Sequence, residues 1–228
     1  MKVGFFDSGF GGLCILRAFQ KRCPDVATEY IADSEHCPYG NRPDEEIFAL
    51  SDACVRQLLA KGCQMIVIAC NTATAAAIDR LRAKYPEVPF VGLEPALKPA
   101  ALHSKSGVVA VLATRGTFNG RLYNETKARF AKHINVIATV ADEFVTEVEK
   151  LRGEPVETLG AAEYARLERI VRTKIEPLLA AGADHLVLGC THFPHLKPII
   201  ERLAAGRATV LDPSDAVAAQ AERVMKGL

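Results

Sequence analysis

The chain lacks an excess of either charge: 28 basic residues stand against 27 acidic ones, for a formal net charge of +1. A global electrostatic case for nucleic acid is therefore missing. No apolar run is long enough to span a bilayer, so no membrane partner is expected. The 7 cysteines are odd in number and irregularly spaced, with no Cys-x-x-Cys pair. That argues against a zinc ribbon and against a disulfide frame. Lys2 opens an apolar start, but Asp7 interrupts it too early for a secretory signal. Reduced thiols in a cytoplasmic compartment are the expectation. No lysine stands at the end of an expected strand, where a pyridoxal mechanism would need its Schiff base. The order Gly9-Phe10-Gly11-Gly12 fits a dinucleotide fingerprint poorly, so a nicotinamide site is not expected.

What the chain does have is a repeat. Leu58 to Cys70 and Leu178 to Cys190 align without a gap, with identities at Leu58/Leu178, Leu59/Leu179, Ala60/Ala180, Gly62/Gly182, Val67/Val187 and Cys70/Cys190. About one match would be expected by chance in so short a window. Each copy reads as a helix ending at a glycine, then a buried strand, then a cysteine at the strand's carboxyl end. In open parallel sheets, ligands bind just beyond those ends. A free cysteine is often a core residue. Two at equivalent positions, each followed by polar residues, point instead to a shared cleft.

The expected fold is α/β: two pseudo-symmetric, doubly wound domains with mostly parallel sheets and the active site between them. Residues 1–96 plus 208–228 would form the first domain, with Cys70, and 97–207 the second, with Cys190. Val3 to Phe6 begins the first half, and Val108 to Ala113 is its counterpart in the second. The stretch Pro95 to Ser106 reads as the crossing between halves. Ala141 to Arg152 reads as a polar segment. The helix Ala161 to Leu179 should kink or end at Pro177. Asn71 or Thr72 should cap the helix after Cys70. A thiol at that helix start would have its pKa lowered.

One thiol on each side of a small polar cleft suits inversion at carbon: a thiolate removes a proton from one face and a thiol returns one to the other. Asp7, after the first strand, and His192, two residues past Cys190, are placed to manage protons. Ser8, Asn71, Thr72, Thr114, Thr117 and Thr191 offer donors to a small acid without a positive side chain. Helix amino termini add favourable potential for its carboxylates.

The runs Phe6-Asp7-Ser8-Gly9-x-Gly11-Gly12, Pro38-Tyr39-Gly40-Asn41, Ala69-Cys70-Asn71-Thr72-Ala73 and Leu188-Gly189-Cys190-Thr191-His192-Phe193-Pro194 resemble the glutamate racemases of the cofactor-independent aspartate/glutamate racemase superfamily. The resemblance spans nearly the whole chain. It implies catalytic roles for Cys70, Cys190, Asp7, His192 and Glu149. It implies substrate binding by Asp7, Ser8, Tyr39, Gly40, Asn71, Thr72, Thr114, Thr117, Thr191 and His192. It also implies glutamate as substrate, no cofactor, no metal, a homodimer, and supply of D-glutamate for peptidoglycan. Histidine after the second cysteine is the glutamate pattern, where aspartate racemases carry a glutamate. The run Asp33-Ser34-Glu35-His36-Cys37 departs from the family's usual Asp-Thr-Ala-Arg-like sequence.

Other readings compete. The substrate could be aspartate or another small acid. Cys70, Cys190 and His192 could hold a metal, though their spacing is sparse. A non-catalytic binding protein would not need both cysteines. Cys14, Cys23, Cys37, Cys54 and Cys63 read as packing residues, with Cys37 bordering the cleft. His36, His103, His133, His185 and His195 read as surface or structural.

Overall fold

The computed structural model describes residues Met1–Leu228. It contains two four-stranded sheets, and every strand pair in both is parallel. The first half runs β1 (Lys2–Asp7), α1 (Leu13–Arg22), β2 (Ala27–Ala32), α2 (Asp44–Ala60), β3 (Met65–Ile68), α3 (Asn71–Lys84) and β4 (Phe90–Val91). Then come α4 (Leu97–His103), β5 (Val108–Ala113), α5 (Arg115–Asn119), α6 (Arg121–Phe130), β6 (Asn135–Val140), α7 (Asp142–Leu151), α8 (Ala161–Ala180), β7 (His185–Leu188), α9 (Lys197–Ala204), β8 (Thr209–Leu211) and α10 (Ser214–Lys226). Strand orders are β2-β1-β3-β4 and β6-β5-β7-β8, so β5 is the counterpart of β1 and β7 of β3.

Each sheet is covered on both faces, which explains strands that are apolar throughout. On one face of the first sheet, Phe6, Ile66 and Ile68 meet Ile47, Val55 and Leu58 of α2 and Ala77 and Leu81 of α3. On the other, Val3, Phe5 and Val67 meet Ile15 and Phe19 of α1 and Val217 and Ala221 of α10. The second sheet repeats the plan. Ala110, Leu112, Leu186 and Leu188 face α7 and α8, while Val109, Val111 and Val187 face α4. Truncating one of these fully buried phenylalanines to alanine would cost about 3–5 kcal/mol.

The repeated glycine has a physical cause. After α2, the Gly62 N–H donates to the Leu59 carbonyl (2.9 Å) and the Cys63 N–H to the Leu58 carbonyl (3.1 Å). After α8, the Gly182 N–H donates to Leu179 (3.0 Å) and the Ala183 N–H to Leu178 (3.1 Å). Both are Schellman caps, and both need a left-handed residue: φ is +80° at Gly62 and +83° at Gly182. The cap aims β3 and β7 back into their sheets and so delivers each cysteine to the same place.

Two expectations need correction, and two others gain detail. Ala141 to Arg152 is not a polar segment: it holds α7, whose Phe144, Val145, Val148 and Leu151 are buried at helical spacing. The stretch read as the crossing does link the two sheets, and it holds α4, packed on the second through Leu97 and Ala100. Pro177 stands in the last turn of α8, which ends at Ala180, one residue past the expected Leu179, before the Gly182 cap. The strand β8, placed by sequence in the first half, is the edge of the second sheet. Only α10 returns to the first half, against α1.

Candidate active site

The carboxyl ends of β1, β3, β5 and β7 face one another across the two halves. Between them lies a small, tight cavity walled by residues of both halves. Cys70 and Cys190 both line it, with Ser8, Tyr39, Gly40, Asn71, Thr72, Thr114, Thr191 and His192. No lysine or arginine is among its walls.

Cys70 is itself the cap of α3, in place of the expected Asn71 or Thr72. Its backbone is extended (φ −145°, ψ 121°), and its Sγ accepts the Ala73 N–H at 3.4 Å. The thiol reaches Ser8 Oγ at 3.7 Å. Cys190 has a different neighbour: its Sγ lies 3.7 Å from His192 Nδ1. The far side of that ring is engaged by Glu149, with Oε1 2.6 Å from Nε2. The same carboxylate oxygen accepts the Phe10 N–H at 2.7 Å. Glu149 of α7 therefore joins the imidazole beside Cys190 to the glycine turn after β1.

Asp7 stands one layer behind the cavity wall. It accepts the Gly12 N–H at 2.8 Å, and the Thr191 hydroxyl donates to it at 3.4 Å. Thr72 and Thr114 hydroxyls meet across the halves at 2.9 Å. Thr117 is buried behind Thr114, 3.1 Å away, and does not line the cavity. Tyr39 lines it, but its hydroxyl donates to Asp33 at 2.5 Å. Gly9 and Gly11 are points of close approach between the halves: a Cβ on Gly9 would run into the Glu149 carboxylate, and one on Gly11 would sit 2.6 Å from His192 Nδ1 and 2.8 Å from the His192 backbone nitrogen.

Burial sets the acid–base state, against the sequence expectation for Cys70. Burial pushes its thiol up to about 12, and the nearby Asp7 carboxylate adds to the rise. The helix start and the Ser8 contacts pull the other way and lose, because a desolvated thiolate is more unfavourable than one cap bond can offset. Burial also raises Cys190 well above the ordinary thiol value. Asp7 is pushed up to about 6 by burial, opposed by His192. Burial raises Glu149 too, but the hydrogen bond and charge of His192 overcome it and hold the carboxyl below its usual value.

One further feature points to a ligand. The amide oxygen and nitrogen of Asn71 are buried without hydrogen-bond partners. A buried amide left unpaired is unfavourable by about 1–3 kcal/mol. Ser51 and Tyr123 also carry orphaned hydroxyls, but neither lines this cavity. Asn71 does, so its missing partners belong to whatever the cavity holds.

Sequence reasoning placed one neighbour, Cys37, at the border of the cleft and missed another, Asp33. Asp33 anchors the Tyr39 hydroxyl. Cys37, read as packing, brings its sulfur beside Glu149 and His192. Asp33 and Tyr39 lie six residues apart in one loop, whereas Cys37 meets Glu149 and His192 only in the fold. His185 is a structural histidine, bonded to Asp184 at 2.8 Å.

Two doubly wound halves that each bring a cysteine to one shared cavity define the architecture of an amino-acid racemase. The model of the Asp/Glu/hydantoin racemase family matches residues 14–221. The glutamate racemase of Ectopseudomonas mendocina is 42% identical over 98% of this chain and 81% of its own length. That of Roseiflexus sp. is 39% identical over 98% of this chain and 79% of its own. Among solved structures, the Escherichia coli glutamate racemase, in complex with L-glutamate and an activator, superposes with a TM-score of 0.84 at 32% identity. It covers 99% of this chain and 82% of that one. The chain belongs to the Asp/Glu/hydantoin racemase family and is an amino-acid racemase.

Proposed function

We propose that this chain interconverts L- and D-glutamate by proton transfer between Cα and the thiols of Cys70 and Cys190, without a cofactor, and that its product is D-glutamate for peptidoglycan. The observation that carries the reading is that both thiols open on one cavity. A carbon held between them can lose hydrogen to one sulfur and gain it from the other. Burial keeps both thiols protonated, and a substrate α-ammonium arriving beside them supplies the positive charge that favours a thiolate. His192, backed by Glu149, would carry the proton for Cys190, and Asp7 would serve the Cys70 side. Asn71, Ser8, Thr72, Thr114, Thr191 and the α3 amino terminus would hold the carboxylates through neutral donors. Tyr39 and Gly40 would shape that binding surface, and Thr117 would hold Thr114 in place from behind. The names of the relatives support glutamate in particular.

The test is turnover in heavy water with L-glutamate and L-aspartate side by side. Deuterium should enter at Cα of glutamate, and its optical rotation should fall to zero. Exchange with aspartate alone would replace glutamate by the smaller acid. No exchange with either acid would remove the reading.

A further inference from the structure

Cys37 has no part in the proton transfers proposed above, yet it does not stand alone. Its Sγ, a Glu149 carboxylate oxygen and a His192 ring nitrogen all lie within 4.8 Å of one another. Cys37 and Glu149 also line an open cavity on the outer side of the site, so solvent reaches the cluster from there. His192 is buried behind them. We propose that Cys37, Glu149 and His192 form a binding site for a thiophilic divalent cation of the zinc type, and that its occupation switches racemisation off.

The donor set fits that chemistry. Thiolate, imidazole and carboxylate are the three ligand types zinc takes, and a fourth position would remain for water from the open side. Binding exchanges the Cys37 thiol proton for the metal, and the proton leaves to solvent. Thiolate and carboxylate together then balance the two positive charges of the ion. The His192–Glu149 pair, now 2.6 Å apart, must open to about 3.3 Å for both to ligate at zinc bond lengths. Glu149 borders the open cavity and has room to make that move. Cys70 and Cys190 are not part of the cluster.

The switch follows from the two nitrogens of one ring. Nδ1 faces Cys190 at 3.7 Å, and Nε2 faces Glu149. A metal on Nε2 fixes the proton of the neutral imidazole on Nδ1. His192 can then no longer accept a proton from Cys190, and Glu149 is drawn off its former partner. Inhibition therefore needs no contact with the substrate. This consequence rests on the racemase reading; the binding itself does not.

The experiment uses the purified full chain and zinc chloride. Bound zinc is measured after dialysis, alkylation of Cys37 is followed by mass spectrometry, and racemisation is assayed. The wild type should retain one equivalent of zinc, and zinc should protect Cys37 from alkylation. Cobalt in place of zinc should give a thiolate-to-cobalt absorption band. Cys37→Ser should keep its metal-free activity, lose the band, and need about tenfold or more zinc for half-inhibition. Equal zinc sensitivity in Cys37→Ser would overturn the proposal and place the ion on Cys70 or Cys190. So would unprotected Cys37 in zinc-treated wild type, a readout that stands even where the variant fails to fold. Zinc held and Cys37 protected in a chain that racemises nothing would uphold the site and remove the function above.

Discussion

The two halves are alike as far as their cysteines and differ immediately after them. Up to Cys70 and Cys190 they share the Schellman cap, the strand and its place in the sheet. Beyond Cys70 the chain enters α3 at once, and the sulfur caps it. Beyond Cys190 it makes a short turn, Phe193–Leu196, and α9 starts only at Lys197. That turn gives room for His192 to fold back on the sulfur, with Glu149 behind it. The first half has no such imidazole: its sulfur lies near Ser8, with Asp7 buried behind the wall. A shared scaffold thus fixes where the thiols stand, and the residues after them give each sulfur different neighbours.

The strongest way to break this comparison is to remove one sulfur at a time. Cys70→Ala and Cys190→Ala should each lower racemisation by about 10³-fold, the scale of a positioned acid–base group. Retained turnover in both variants would end the two-thiol reading.

Next come the supporting groups, Asp7 on one side and His192 on the other. Asp7→Asn and His192→Asn should each slow turnover by about 10²-fold. Enantiomers are equal in free energy, so kcat/KM for the two directions must stay equal in every variant. The asymmetry should appear instead in the isotope effects with Cα-deuterated L- and D-glutamate, which the two variants should shift in opposite order. Asp7→Asn should also change stability with a definite sign. The folded carboxyl sits at about 6, against 3.8 when free, so ionising it weighs against the fold. Its contribution to stability is full below about pH 4 and is lost as pH rises through 6. The variant should therefore be more stable than the wild type by about 3 kcal/mol above pH 7, a gain that vanishes by pH 4 in urea melts. Equal stability of the two proteins at pH 7 would show Asp7 to be less desolvated than its burial implies.

The smallest effect sharpens the contact between halves. Thr191→Val removes the hydroxyl that bonds Asp7 and should destabilise by about 1 kcal/mol, with a modest rise in KM for glutamate. An unchanged melt would show that this bond contributes nothing across the interface.

Much of this plan was legible in the chain because it rests on local rules. Glycine at a left-handed cap, a buried strand and a polar strand end are all patterns within a dozen residues. The helix α7 was legible too: Phe144, Val145, Val148 and Leu151 keep helical spacing, but five ionisable residues among them masked it. The helix α4 has only 7 residues and carries Pro99, too little signal to outweigh a crossing. The thiol pKa values were not legible, because burial depends on walls drawn from both halves. The company of Cys37 was not legible for the same reason: Glu149 and His192 come from the other half.

The return of α10 to the first half, with β8 left in the second, means that the polypeptide passes between the two bodies twice. A single tether would let them swivel freely. A double one works like the spine of a book, along which the covers can part while their facing pages stay in register. Any movement of one half against the other is held to what two links allow, and the spacing of Cys70 and Cys190 is held with it.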